Sequence, residues 1–168
     1  IDSASSRLNE LHARKQGTPT MGGLFLVGAI VVAVLLFGDL ASSYVQISLF
    51  LTVTFGALGA TDDWIKLRTT RRGLTARQKL AGQCLFGGFA AAWLYAVQSA
   101  QPLGTELVSP IGSAAWPLGV GFIAWSLLVI VGSSNGVNLT DGLDGLASGC
   151  LIFAGGAFAA LTYFAGHH

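Results

Sequence analysis

Charge is what this sequence has least of. Only 10% of its 168 residues are Asp, Glu, Lys or Arg, whereas soluble domains carry about 25%. With 52% apolar residues and a mean hydropathy of +0.65, a membrane protein is indicated and a soluble globular domain is excluded. Cysteine is scarce too. Cys84 and Cys150 both fall inside apolar runs, at a spacing that suggests no metal site. They read as small buried hydrophobes and say little about redox compartment. The first twenty residues are polar and lack an apolar core, so no cleavable signal peptide is visible. The sequence has no initiator Met at its start, which suggests a fragment. A net charge of +1 leaves no general polybasic signal for nucleic acid. No internal repeat stands out, and no Ser-His-Asp or Cys-His nucleophile arrangement suggests itself.

What is present is a series of apolar runs. Spans are expected at about 21–38, 45–60, 81–98, 116–134 and 146–166. The predicted class is therefore an all-α polytopic membrane protein, with residues 1–168 as one transmembrane domain. The second run is short for a crossing of about twenty residues and draws on its flanks. All nine Lys and Arg lie in residues 1–20 or 61–80, and none in the links 39–44 and 99–115. Alternation across five spans places 1–20, 61–80 and 135–145 on one side, and the excess of basic residues makes that side cytoplasmic. Glycines 56, 59, 82, 87, 88, 155 and 156 allow close helix packing in lipid. Such faces permit a homodimer without demanding one.

The chemistry is concentrated in three stretches. Residues 135–149, between the last two spans, contain Asn135, Asn138, Thr140, Asp141 and Asp144, with glycines at 136, 142, 145 and 149. Such a segment suits a cation, a phosphate or a sugar. It equally suits a hairpin loop with helix-capping Asx residues. Asp62 and Asp63 follow the second span directly. Two adjacent carboxylates at a membrane helix end repel each other and are costly to desolvate. They read either as a divalent-metal site, or metal ligand plus base, or as a solvated interfacial pair. Mg²⁺ commonly takes one or two carboxylates together with substrate phosphates. Lys66, on the loop carrying the aspartates, and Lys79, opening the third span, are candidate phosphate partners. The arginines at 68, 71, 72 and 77 are more ambiguous, and the positive-inside topology alone explains most of them. The third stretch is Lys15-Gln16-Gly17-Thr18-Pro19-Thr20-Met21-Gly22-Gly23. It lacks P-loop spacing. Lys15 with the hydroxyls of Thr18 and Thr20 forms either an anion cradle at a helix start or a plain helix beginning with Pro in its first turn. His12 reads as a solvated histidine. Together these residues fit metal-assisted phosphoryl chemistry on one soluble and one lipid substrate.

The three stretches together resemble the phospho-N-acetylmuramoyl-pentapeptide transferases, a branch of the polyprenyl-phosphate N-acetylhexosamine-1-phosphate transferase superfamily. The Thr-Pro-Thr-Met-Gly-Gly run at 18–23 and the Asn-Leu-Thr-Asp-Gly-Leu-Asp-Gly-Leu-Ala run at 138–147 are similar to that branch. The resemblance covers nearly the whole chain in order and topology. It implies transfer of phospho-N-acetylmuramoyl-pentapeptide from its UDP-linked donor to undecaprenyl phosphate, giving lipid I and UMP for peptidoglycan, with Mg²⁺ as cofactor. It further implies a multi-pass protein of the bacterial cytoplasmic membrane. Asp62, Asp63 and Asp141 would be the catalytic and metal-binding carboxylates. Asp62 or Asp63 would act on the lipid phosphate, and direct displacement is preferred over a covalent aspartyl intermediate. Asp144 and Lys15 would contact the uridine part. Asn135 and Asn138 would shape the pocket, and Lys66 and Lys79 would hold phosphates.

The chain also departs from that family. Residues 7–11 lack the usual Asp-Gly-Pro, and the family chain is about twice as long, with about ten spans. A Met-Gly-Asp-x-Gly-Ser motif and a histidine-rich loop have no counterpart here. The chain then corresponds to about the second to sixth spans, and alone it is expected to be inactive. Three other readings stand beside this one. A sibling transferase would take a UDP-N-acetylhexosamine without peptide. A cation- or proton-coupled transporter would place its acids near the bilayer midplane on broken helices, whereas here the paired acids lie at span ends on one face. A non-enzymatic structural fragment is excluded only by an activity test.

Overall fold

The structure is a computed structural model that describes residues 22–69, 73–109, 114–141 and 145–166. Five helices make up most of them: α1 (Gly22–Phe37), α2 (Ser43–Arg68), α3 (Ala76–Gln98), α4 (Gly121–Thr140) and α5 (Leu146–Ala165). The expected all-α class holds. Four of the helices, Ser43–Arg68, Ala76–Gln98, Gly121–Thr140 and Leu146–Phe164, are long and apolar enough to cross a membrane. The 16 residues of α1 extend about 24 Å at 1.5 Å per residue. That falls short of a hydrocarbon core of about 30 Å without help from flanking residues.

Two helices run past the apolar runs that define them. The second reaches Arg68, so Asp62, Asp63 and Lys66 stand on its last turns and not on a loop. Ion pairing explains the extension. An acid four residues before a base is the favourable order on a helix, and Lys66 and Arg68 fall in the last turn, where positive charge offsets the dipole. The fourth helix likewise continues to Thr140. Asn135 and Gly136 are therefore helical, and Thr140 Oγ1 donates to the Gly136 carbonyl at 2.8 Å. Gly149 is also helical. Of the glycines expected to turn this segment, Gly145 does so among the described residues, with φ +84° just before α5.

A further difference lies before α4. Glu106–Val108 (β1) and Ala115–Pro117 (β2) pair antiparallel, with Leu107 opposite Trp116. The helix then begins at Gly121, whereas the apolar run begins at Trp116. Pro117, which has no N–H to donate, sits at the end of the ladder opposite Glu106.

The described residues fall into two units, one ending at Gly82 and the other beginning at Gln83. In the first, α1 packs on α2, and a Cβ on Gly56 would lie 3.0 Å from the Val27 side chain. In the second, Gln83, Gly87, Ala90 and Ala91 form the buried face of α3. A Cβ on Gly87 would meet Leu127, Ile130 and Val131 of α4 at 3.3–3.6 Å, so small residues set the approach of these two helices. Three threonine hydroxyls within the apolar helices are satisfied locally. Thr52, Thr54 and Thr162 donate to the carbonyls of Ser48, Phe50 and Phe158 at 2.7–2.9 Å. Cys84 and Cys150 are free thiols and exposed, not buried. An apolar run on a lipid-crossing helix has outward-facing positions as apolar as its inward ones, so composition does not report burial there.

Candidate functional site

The carboxylate pair is the centre of the first unit. Lys66 Nζ lies 2.6 Å from Asp62 Oδ2 and 3.1 Å from Asp63 Oδ1, bridging the two acids. Asp62 has a second anchor: the Leu74 N–H donates to its Oδ1 at 2.6 Å. Burial works to raise the Asp62 pKa. The hydrogen bonds from Lys66 and from the Leu74 amide, with the charges of Lys66 and Lys79, outweigh it and hold the carboxyl below its ordinary value. Lys66 is correspondingly pushed up, first by its bond to Asp62 and then by that to Asp63. These groups lie beyond the uncharged stretch 43–61 of α2.

The loop that reaches back to Asp62 is fixed by backbone geometry. Gly73 has φ +100°, and a Cβ there would press on the Asp62 carboxylate and the Lys66 side chain. Next to it, Thr75 and Gln78 cap α3 reciprocally. Thr75 N–H donates to Gln78 Oε1 at 3.0 Å, and Gln78 N–H donates to Thr75 Oγ1 at 3.3 Å. This cap sets the start of the helix that carries Lys79, whose charge acts on Asp62.

Asp63 points a different way. It borders a cavity of about 190 Å³ between α1 and α2, lined also by Gly23, Leu24, Val27, Gly56, Gly59 and Ala60. The cavity is an apolar slot floored by glycines with one carboxylate at its margin. It suits an alkyl chain with a polar head at the Asp63 end.

In the second unit, Asp141 follows the last residue of α4, and its N–H donates to the Val137 carbonyl at 3.1 Å. The carboxylate is exposed and sits at the negative end of the helix dipole, with no basic residue in the last turn. Such a carboxylate gains from a cation. Asn138 is exposed one turn earlier. Asn135 is half-buried and donates through Nδ2 to Gln83 Oε1 at 2.9 Å and to the Val131 carbonyl at 2.8 Å. Lys15, Thr18, Thr20 and Asp144 lie outside the described residues. Sequence reasoning missed Gln83, Gly73 and the Thr75–Gln78 cap. Its available signals were a lone carboxamide in an apolar run, Gly73-Leu74 before a helix, and the Thr-x-x-Gln spacing.

Among the described residues no three metal-ligating side chains converge. The two carboxylates of Asp62 and Asp63 nevertheless offer the hard oxygen donors that Mg²⁺ takes, and Mg²⁺ completes its shell with water and phosphate oxygens. The donor chemistry fits.

Comparison with known proteins bears on the same residues. Residues 44–168 match the family described as glycosyl transferase family 4. The chain belongs to glycosyl transferase family 4. Within that family, residues 15–27 match signature 1 of phospho-N-acetylmuramoyl-pentapeptide-transferase. A phospho-N-acetylmuramoyl-pentapeptide-transferase of Solidesulfovibrio magneticus is 48% identical over 158 residues, which is 93% of this chain and 43% of that protein. One of Koribacter versatilis is 42% identical over 173 residues, 93% of this chain and 46% of that protein. The chain thus spans less than half the length of these curated relatives. For this glycosyl transferase family 4 member, the signature and the carboxylates meet in one place: Gly23, Leu24 and Val27 of the signature line the cavity that Asp63 borders.

Proposed function

We propose that this chain forms part of a phospho-N-acetylmuramoyl-pentapeptide transferase, acting at the cytoplasmic face of the bacterial inner membrane. The carrying observation is the cavity shared by the transferase signature and Asp63, beside the Lys66-bridged acid pair. In the reaction, a phosphate oxygen of undecaprenyl phosphate attacks the sugar-linked phosphorus of UDP-N-acetylmuramoyl-pentapeptide. The phosphoanhydride bond to UMP breaks, UMP leaves with the electron pair, and lipid I stays in the membrane. The lipid phosphate is already ionised near neutral pH, so a strong base is hardly required.

Both reactants are anions, and the work of the protein is to bring them together and hold them in line. Lys66, held between two acids, is kept protonated and in place to donate to a phosphate oxygen as a point charge. Lys79 serves the same purpose from the start of α3. Asp63, at the cavity margin, faces the lipid phosphate, while Asp62 holds Lys66 and the Leu74 amide in position. Asn135, Asn138, Asp141, Asp144 and Lys15 serve the nucleotide-sugar. Asp62, Asp63 and Asp141 are the residues that would hold Mg²⁺, which supplies charge neutralisation of the phosphates. The segment alone lacks the remainder of such an enzyme and is expected not to turn over.

The test is transfer of radiolabelled sugar phosphate from UDP-N-acetylmuramoyl-pentapeptide to undecaprenyl phosphate in detergent, with and without Mg²⁺. It uses the full-length natural protein alongside this segment. Mg²⁺-dependent transfer that Asp63→Asn or Asp141→Asn abolishes supports the reading. Transfer of a peptide-free aminosugar alone points to the sibling transferases, and absence of any transfer overturns an enzymatic role.

A further inference from the structure

Among the described residues of the second unit, Gln83 is the most buried polar side chain, at 3% exposure on a helix apolar enough to cross a membrane. Its carboxamide is engaged at both ends. Oε1 accepts from Asn135 Nδ2 at 2.9 Å, and Nε2 donates to Ser134 Oγ at 3.1 Å. On packing grounds an apolar side chain would do as well here, because Gly87, Ala90 and Ala91 continue the same face of α3 against α4. A polar network in such a place fixes one arrangement among several.

The network has a direction that hydrogen-bond chemistry dictates. The Val131 carbonyl can only accept, so the Asn135 atom facing it must be Nδ2. The second Nδ2 hydrogen goes to Gln83 Oε1. Flipping the Asn135 amide would set its oxygen against two acceptors. Both donors of Asn135 are thus used inside the protein, and the atom it has to offer a ligand is the acceptor Oδ1. Val131 thus decides which Asn135 atom is the nitrogen, and Gln83, tied to Ser134 at its other end, takes the second Nδ2 hydrogen and holds the amide in that place.

We infer that Gln83 is a positioning residue for nucleotide-sugar binding: it holds the Asn135 amide so that Oδ1 faces a hydrogen-bond donor of the substrate, such as an imide or amide N–H or a ribose hydroxyl. This rests on the transferase reading above. Gln83 touches no substrate and acts through Asn135 on the stretch of α4 that leads to Asn138 and Asp141.

The experiment is steady-state kinetics of the full-length natural enzyme and its Gln83→Met, Gln83→Glu, Asn135→Ala and Gln83→Met/Asn135→Ala variants, with thermal unfolding of each. Gln83→Met keeps the volume and removes both hydrogen bonds. It is expected to raise KM for the UDP-sugar about tenfold, equivalent to 1.4 kcal/mol, with kcat and the KM for the lipid phosphate changed less than about threefold. In the double variant the Met substitution adds nothing to the Asn135→Ala loss, because the only route from Gln83 to substrate is already gone. Gln83→Glu, kept neutral by burial, accepts from Asn135 through its carbonyl oxygen and donates to Ser134 through its hydroxyl, and is expected to keep the donor KM within about threefold of wild type. Losses that multiply in the double variant overturn the inference. So does a Gln83→Met protein that unfolds earlier with unchanged donor KM, or a Gln83→Glu donor KM as poor as that of Gln83→Met. If Gln83→Met does not fold, the Gln83→Glu result decides alone. A wild-type enzyme without transferase activity overturns the transferase reading itself, and is recognised before any variant is compared.

Discussion

The Leu74 amide donates to Asp62 Oδ1 at 2.6 Å across twelve residues of chain, tying the start of α3 to the end of α2. One carboxylate is thereby held by a backbone N–H and an ammonium at once. Among the described residues, its neighbour Asp63 shares only the ammonium, and it borders the cavity. Two adjacent residues of one type thus differ in their surroundings, the first tied to the loop and to Lys66 through its two carboxylate oxygens and the second at the cavity margin.

Gly73 is the position on which that tie depends. With φ +100°, and with the Asp62 carboxylate where a Cβ would go, Gly73→Ala meets both backbone strain and a clash. Strain of this kind costs about 1–3 kcal/mol. The expected outcome is a lowered unfolding temperature of the full-length protein together with reduced transfer. A variant as stable and active as wild type would show that the Leu74–Asp62 contact is dispensable.

Asp62→Asn and Asp63→Asn should separate stability from activity. Lys66 is about half exposed, and an exposed pair of this kind contributes under about 1 kcal/mol. Asp63→Asn is therefore expected to leave the unfolding temperature nearly unchanged while lowering transfer about a hundredfold or more, the scale of losing a group that acts on developing charge. Asp62→Asn is expected to lower both. Equal thermal effects from the two would remove the division of labour.

The pH dependence has a definite sign. Asp62 is held below its ordinary carboxylate value, so its stabilisation is complete above the unfolded pKa and is lost as pH falls through the lower folded pKa. Lys66 is raised, so its contribution is complete below the unfolded lysine pKa and is lost only as pH rises through the higher folded value. Unfolding temperature should stay level with respect to this pair between those limits, and Asp62→Asn should flatten the acid-side fall. Thermal unfolding from acid to alkaline pH checks this, and an acid-side fall of the same size in wild type and Asp62→Asn counts against it.

What could be read from the sequence, and what could not, follows from physical scale. Membrane spans are legible because about twenty apolar residues in a row have few other uses, and the all-α class followed from that. The site stretches were legible because Asp62 and Asp63 are costly beside lipid. Helix ends were not. Whether α2 stops at residue 60 or continues to Arg68 depends on the pairing of Asp62 and Asp63 with Lys66, and hydropathy does not register it. Gln83 was hidden for a related reason. A lone amide in an apolar run gains meaning only when Ser134 and Asn135, about fifty residues later, are placed beside it.

Asp141 leads to the last expectation. It stands at the carbonyl end of α4, where the helix dipole disfavours a negative charge and the last turn offers no basic residue to offset it. A divalent cation bound there removes that penalty, and any ligand preferring the folded state stabilises it by about 2.7 kcal/mol at a hundredfold excess over its Kd. Adding Mg²⁺ to the full-length protein, with no substrate present, should therefore raise the unfolding temperature. Asp141→Asn should shrink that rise, and it should also be the more stable protein once EDTA has removed the metal, because the uncompensated charge is gone. Asn also serves well at a helix C-terminus, so the comparison in EDTA isolates the charge. A Mg²⁺-dependent rise of the same size in both proteins would mean that Asp141 holds no metal.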